Sequence, residues 1–357
     1  MTSVWIDVLT PKQFWFFRRV TEELARRRFD LTVSSRAYEQ VLPLIPEFKH
    51  AEVMVVGEYG GLHLRDKLIK SVERTRELLQ AVGEFDCAVS GGSPEAARIS
   101  YGLGKPHILA SDTPNSPVNK LVAPVSAYVL SPWIVGKKPW RKLGVQNQDI
   151  VLYRALDPVA WLRSYKPSKQ FLHEHGLDER NYVLVRTPEY KASYFINFGW
   201  SVEHFSDFLK KMVKQLRDYK IVVLPRYSDE VAYLCKHLGD EAVVVDRPVK
   251  DFSLLYYAEV FVGGGGTMTQ EAALLGVPTV SFYPSRLPKV IQYLKNQGLI
   301  IHVNSLQKLL DKAEAMLRDA DRIRSRLSRR ARRLVGAMED PVEKIVNVIE
   351  DVVSPAG

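Results

Sequence analysis

The sequence predicts an α/β protein of two Rossmann-like domains facing a central cleft. Apolar, strand-like runs alternate with amphipathic, helix-like segments, and the rhythm restarts after an irregular middle. The two halves also carry matching strand, glycine-turn and helix segments. A chain of 357 residues exceeds one ordinary core and suits two α/β domains. We expect domains at residues 1–160 and 161–340, with 341–357 as a terminal helix packing back on the first.

The first half opens with the apolar run Val4-Trp5-Ile6-Asp7-Val8, broken by Thr10-Pro11. A helix from about Phe14 to Arg28 leads to a strand at Leu31–Ser34, and a long amphipathic helix runs from about Leu64 to Val82. Phe85–Val89 reads as a buried strand ending in Ser90-Gly91-Gly92-Ser93-Pro94, with Pro94 suited to the first turn of the next helix. Pro106–Ala110 is another strand, and such alternation with short links predicts a parallel sheet covered by helices. Residues 150–180 carry Pro158 and Pro167 and read as the connection between halves. Beyond it come strands at Tyr182–Arg186, Lys220–Pro225, Ala242–Val245 and Val260–Val262, with a helix from Val202 to Leu216 and a shorter one from Phe252 to Ala258. These strands are continuously apolar, as strands buried on both faces are.

The two halves echo each other. Ser90 to Ala97 leads to Leu103-Gly104-Lys105-Pro106, and Gly264 to Ala273 leads to Leu275-Gly276-Val277-Pro278. The stronger chemical signal is the second. Glycines at Gly263, Gly264, Gly265 and Gly266 let the backbone approach a ligand, and the following helix start offers unpaired N–H groups and a partial positive charge. Together they form an anion site suited to a diphosphate. Thr267 is placed to cap that helix or to donate to phosphate, and Glu271, one turn on, to accept hydrogen bonds from ribose hydroxyls. No Lys-Ser/Thr follows the glycines, so this is not a Walker A loop.

On these residues the chain resembles GT-B-fold sugar enzymes. Gly264-Gly265-Gly266-Thr267, Gln270-Glu271-Ala272 and Leu275-Gly276-x-Pro278 look like their C-domain signature, with UDP-N-acetylglucosamine 2-epimerase and the peptidoglycan N-acetylglucosaminyltransferase the functional comparisons. The whole chain is more similar still to an archaeal family of unknown function grouped with them, through Trp5-Ile6-Asp7, Ser90 to Ala97, Leu254–Ala258 and the glycine run. The resemblance implies a GT-B-type fold, with the first domain binding an acceptor and the second a UDP-sugar donor. Gly264, Gly265, Gly266 and Thr267 would hold the diphosphate, with Gln270 beside them and Glu271 on the ribose. The activity it implies is a glycosyltransferase, with a 2-epimerase-like isomerase or a non-catalytic nucleotide-sugar-binding protein as alternatives. Two departures weigh against the isomerase: Gly92 or Ser93 stands where those enzymes have an aspartate, and Arg186-Thr187-Pro188 where they have a histidine.

Other candidates follow from position, because ligands of open α/β sheets gather at strand carboxyl ends. Arg186 and Arg226 are placed to grip a diphosphate, and Ser193 and Tyr194 to line the cleft. In the first half Ser90, Gly91, Gly92 and Ser93 are placed to contact acceptor or sugar, with Asp112 and Glu95 as candidate catalytic carboxylates. No cofactor is expected, the UDP-sugar being substrate. No metal is expected either, because no Asp-x-Asp sits in a suitable loop and Cys87 and Cys235 have no metal-ligand spacing.

A net charge of +9 favours acidic partners, and eight arginines lie between Arg318 and Arg333, where Ile323, Leu327 and Leu334 recur at helical spacing. This predicts a helix with one packed and one basic side; no RNA-binding motif accompanies it, so nucleic acid is not expected. Phe14-Trp15-Phe16-Phe17-Arg18-Arg19 and the stretch from Trp133 to Trp140 are candidate basic-aromatic surfaces for anionic lipid, which leaves a lipid-linked sugar acceptor and peripheral membrane contact open. The opening residues lack a signal-peptide layout, so the expected location is cytoplasmic.

Overall fold

A computed structural model describes residues 2–61, 63–188, 201–246, 249, 251–283 and 287–354. The chain divides into two compact units, Met1–Trp161 with Met338–Gly357, and Leu162–Ala337.

The first unit holds a seven-stranded parallel sheet of β1 (Ser3–Val8), β2 (Asp30–Ala37), β3 (Glu52–Glu58), β4 (Cys87–Ser90), β5 (His107–Ala110), β6 (Tyr128–Pro132) and β7 (Ile150–Tyr153), in the order β3-β2-β1-β4-β5-β6-β7. The second holds six parallel strands, β8 (Tyr182–Arg186), β9 (Lys220–Leu224), β10 (Val243–Val244), β11 (Val260–Gly263), β12 (Thr279–Phe282) and β13 (Ile301–Val303), in the order β10-β9-β8-β11-β12-β13. Each sheet reverses its strand order once, between β1 and β4 and between β8 and β11. At such a switch point the connections leave to opposite faces and open a crevice at the carboxyl ends. The segment Ser90–Ser93 follows β4, and the glycine turn follows β11. Both halves therefore place their small-residue turns at the position the fold provides for ligands.

Four strands, β3, β6, β7 and β13, lie outside the runs that the sequence assigns to strands. β7 lies inside the stretch expected to be irregular, because Pro158 and Pro167 obscured a four-residue run. β3 is an edge strand: its apolar run Val53–Val56 lies between Glu52 and Gly57-Glu58, and Glu52, Val53, Val55 and Glu58 are exposed, so it is not buried on both faces as the central strands are.

The aromatic cluster is also reassigned. Phe14, Phe16 and Phe17 are buried, and only Trp15 is half-exposed, with the Arg18 guanidinium 5.8 Å from its ring. Three consecutive-sector positions are covered because the helix Pro11–Arg26 is flanked on more than one side. Phe14 packs on Phe48, Phe16 on Trp161, and the helix Pro341–Val353 lies along it. Trp140 is likewise fully buried. Phe14, Phe16, Phe17 and Trp140 are thus core residues, while Trp15 and Trp133 are half-exposed. No helix among the described residues is long and apolar enough to cross a membrane.

In the second unit the arginine-rich segment forms the helix Ala320–Gly336, and Arg324 breaks the two-sided pattern by turning inward, 7% exposed. This helix passes so close to the end of the helix Thr267–Leu274 that a Cβ on Gly276 would lie 2.5 Å from the Ser328 Cα. Gly276 also has φ +75°, the left-handed conformation that ends a helix. Gly276→Ala is therefore expected to destabilise the second unit by about 3 kcal/mol, from overpacking plus left-handed strain. Urea denaturation checks this; a loss below about 1 kcal/mol would mean the two helices separate freely.

Candidate functional site

The glycine turn is the candidate ligand site of the second unit. β11 ends at Gly263, and the helix Thr267–Leu274 begins with Gly266 as its N-cap and no side-chain cap. Thr267 is thus the first helical residue rather than the cap, which corrects the expected capping role. The amides of Gly266, Thr267 and Met268 have no acceptor among the described residues, whereas Gly265 donates to Thr269 Oγ1 at 3.2 Å. Gly265 has φ +80°, with Ser281 and Tyr283 packed within 3.3–3.5 Å of where a Cβ would sit. Glycine is required there both by conformation and by space.

Arg226 completes the site. Its Nη2 is 3.7 Å from the position of a Gly266 Cβ, its Nε donates to the Thr187 carbonyl, and its own amide donates to Thr187 Oγ1 and Glu230 Oε2. Glu230, which sequence reasoning missed, is buried, accepts from Thr187 Oγ1 at 2.9 Å, and is held above the ordinary glutamate range by burial. Arg186 ends β8 and donates to the Pro225 carbonyl at 2.6 Å, tying itself to the strand that carries Arg226. Gln270 and Glu271 are both buried on the helix after the turn. The Gln270 Oε1 and the Ser281 Oγ have no hydrogen-bond partner among the described residues. Buried polar atoms without partners are uncommon and mark places where another group is accommodated. Gly264, Gly265, Gly266, Thr267 and Arg226 thus cluster, with Gln270 and Glu271 behind them. Ser193 and Tyr194 lie outside the described residues.

In the first unit the predicted residues separate into two groups. Ser90 and Ser93 are fully buried. Ser90 Oγ contacts His107 Nε2 at 2.9 Å and accepts from the amides of Gly92 and Ser93, while Ser93 Oγ caps the next helix through Ala96. Their hydroxyls are spent on the turn itself, so their expected contact with sugar is reassigned to a structural one. Gly91 is half-exposed; Gly92 is buried with φ +109° against Asn119. Burial drives the His107 pKa down to about 3, leaving a neutral ring bridging Ser90 and Ser126.

Glu95 is reassigned for the same reason. It is 5% exposed, accepts from Ser71 Oγ at 2.6 Å and Ser93 Oγ at 3.1 Å, and lies 3.5 Å from Arg74 Nη1. Arg74 in turn grips Asp7 through both terminal nitrogens, at 2.9 and 2.6 Å. Burial opposes charge on Asp7, but Arg74 and its hydrogen bonds overcome this and hold the carboxyl below the ordinary aspartate range. This is an internal ionic network, and Glu95 anchors it.

Asp112 has a different setting. It is 9% exposed and lies 2.6 Å from Lys12 Nζ, which also meets Asp157 at 2.7 Å. Asp157 accepts from Tyr153 at 2.6 Å. Burial works against the Lys12 ammonium, yet the two carboxylates hold it above the ordinary lysine value. Burial also raises Asp157 above the usual aspartate range despite Lys12. Two carboxylates sharing one ammonium beyond strand carboxyl ends form a buried cluster of net negative charge. Sequence reasoning found Asp112 but missed Lys12 and Asp157, which only the sheet order brings to it.

A family model described as "Protein of unknown function (DUF354)" matches residues 2–354. Uncharacterized protein MJ0665 of Methanocaldococcus jannaschii is 27% identical over 325 residues, covering 87% of this chain and 91% of that protein. Among solved structures, the Staphylococcus aureus MnaA–UDP co-structure superposes with a TM-score of 0.72 at 13% identity, covering 100% of this chain and 98% of that one. The Neisseria meningitidis UDP-GlcNAc 2-epimerase bound to UDP-GlcNAc gives 0.65 at 13% identity, covering 99% of both chains. The glycotransferase of kitacinnamycin gives 0.63 at 13% identity, also covering 99% of both. These likenesses show the fold: two parallel-sheet Rossmann-like units of the kind found in GT-B glycosyltransferases and epimerases.

Proposed function

Because this chain belongs to the DUF354 family, whose description assigns no function, we propose an activity from the site itself: binding of a UDP-sugar at the glycine turn and transfer of its sugar to an acceptor. The observation that carries the reading is the turn after β11. Three adjacent amides without acceptors among the described residues, a left-handed glycine and the Arg226 guanidinium converge at one helix start. Oriented amides and an arginine stabilise a diphosphate, and they stabilise it more as charge builds on the leaving group. The UDP and UDP-GlcNAc named for two structures of the same fold agree with this choice of nucleotide.

Within this reading Glu271 and Gln270 serve the ribose side of the donor, and Arg186 holds Arg226's strand in place. Asp112 is the general base that takes the acceptor's hydroxyl proton. Lys12 lies between it and Asp157, so when Asp112 takes the proton and becomes neutral, Asp157 still balances the Lys12 ammonium. The acceptor class is open to a lipid-linked sugar.

Thermal unfolding in the presence of a panel of nucleoside diphosphates and their sugars tests the donor. Protection by UDP or UDP-sugars and not by the others supports the reading; no protection by any of them sinks it. Incubation with UDP-GlcNAc alone separates transfer from isomerisation, since an epimerase acts without acceptor. Asp112→Asn is expected to lower the transfer rate by about 100-fold or more while leaving UDP protection unchanged. An unchanged rate would remove Asp112 from the chemistry.

A further inference from the structure

Among the described residues the five most exposed large apolar side chains are Leu64, Leu68 and Val72 on the helix Leu64–Ala81, Tyr101 near the end of the helix Pro94–Gly102, and Leu121 on the short helix Asn119–Val122. Each is 63–83% exposed. They are not scattered. The three helices follow connections that step through the sheet in one direction, from β3 to β4, β4 to β5 and β5 to β6, so right-handed crossovers put all three on one face. The first packs on the second, and the second on the third. The helix Pro11–Arg26, from β1 to β2, steps the other way and lies on the opposite face with the helix Pro341–Val353. A contiguous exposed apolar patch marks a surface that meets something.

The charge around this face has one sign. On the helix Leu64–Ala81 the side chains of Leu64, Leu68, Val72 and Leu79 fall within about a quarter of a turn of one another. Arg65 and Arg76 border that stripe, while Asp66, Glu73 and Glu77 lie on the far side, where Lys70 pairs with Glu58 and Glu73. Between Pro94 and Gln148 the only carboxylates are Glu95 and Asp112, and both are buried in the pairings already described. The same stretch carries Arg98, Lys105, Lys120, Lys138, Arg141 and Lys142, none of which forms an ion pair among the described residues. The last three belong to the connection from β6 to β7, whose Val135 and Trp140 share a core with Ala97 and Val122, so they rim the same face.

A face apolar in its middle and cationic at its rim selects its occupant by charge. A second copy of this chain on a twofold axis would bring the same face, and its cations would meet cations with no exposed carboxylate to balance them. An anionic bilayer supplies acyl chains to the leucines and phosphates to the lysines and arginines. We propose that the outer face of the helices Leu64–Ala81, Pro94–Gly102 and Asn119–Val122 docks on an anionic membrane surface, lying in its interface rather than crossing it. This goes beyond the UDP-sugar reading and does not depend on it.

Sedimentation of the full chain with vesicles of phosphatidylcholine alone, and of phosphatidylglycerol mixed with phosphatidylcholine, tests this. Leu68→Gln with Leu121→Gln removes apolar contact, and Lys138→Gln with Arg141→Gln removes rim charge. All four side chains are exposed, so circular dichroism should be unchanged. Arg326→Gln with Arg329→Gln is the control, on the basic helix of the second unit. The native chain is expected to bind the mixed vesicles and not the phosphatidylcholine ones. Each first-unit variant should lower the partition coefficient by at least about tenfold, and the control should change it less than about twofold. No binding to mixed vesicles overturns the proposal, as does binding that either first-unit variant leaves intact. Binding that the control removes also overturns it and moves the contact to the helix Ala320–Gly336. A dimer in analytical ultracentrifugation that Leu68→Gln with Leu121→Gln dissociates, without vesicle binding, would assign the face to a second copy instead.

Discussion

Replacing Arg74 with leucine is expected to cost the first unit about 3–5 kcal/mol, the largest stability effect of any single substitution considered. Arg74 is 1% exposed and Asp7 wholly buried, so the variant leaves Asp7 charged, desolvated and without its cation, and leaves Glu95 without its nearest one. The pH dependence should change sign with it. In the native chain the Asp7 pKa is lowered, so its contribution is complete above the unfolded aspartate value near 3.8 and fades only as pH falls through the lower folded value. In Arg74→Leu the same carboxyl becomes a buried group with a raised pKa. Its neutral form is then favoured, and stability falls as pH rises through the folded value. Urea denaturation at pH 7 and pH 5 checks this. The variant is expected to be more stable at pH 5 than at pH 7, and the native chain to change little through this group. Adding Asp7→Asn should recover part of the loss, because it removes the orphaned charge. A loss under about 1 kcal/mol would show that the network is solvated and does not hold β1 to the helix Leu64–Ala81.

Gly265→Val is expected to abolish protection by UDP. The φ of +80° strains any branched residue, and a Cβ at 3.3 Å from the Tyr283 ring forces that side chain or the turn to move. At a UDP concentration about 100 times its dissociation constant, the native chain gains about 2.7 kcal/mol, and the variant gains nothing. Because that substitution also strains the unbound fold, Arg226→Ala gives the cleaner measure. It leaves the backbone conformation alone and removes one charge-assisted contact, worth about 1.5–3 kcal/mol, or about 10- to 100-fold in UDP affinity. If Arg226→Ala binds UDP as the native chain does, the phosphates do not lie at this helix start.

These two expectations rest on different kinds of information. The glycine turn was legible in the sequence because its signal is local. Four glycines between an apolar strand and a helix state a backbone requirement that each residue meets by itself, and φ at Gly265 and the close approach at Gly276 show what the glycines are for. The alternation of strands and helices was legible for the same reason: burial on both faces writes continuous apolar runs. It failed where those runs were short or half-exposed, at β3, β7 and β13, and at β6, whose run is closed by Ser131-Pro132.

The sequence by itself determined the two-unit α/β plan, the parallel sheets and the location of the glycine turn. Tertiary structure alone decided which charges are spent. Glu95 and Asp112 look alike in sequence, each a carboxylate just beyond a strand. One is enclosed by Ser71, Ser93 and Arg74, the other paired with Lys12 at the sheet's carboxyl edge. Arg324 is one of eight arginines from Arg318 to Arg333, yet it is the one that turns inward onto the carbonyls of Ala258 and Glu259. The physical reason is that secondary structure follows from nearest-neighbour periodicity, whereas the partner of a charge is set by strand order. Lys12 and Asp157 meet only because β1, β5 and β7 end on the same edge of one sheet.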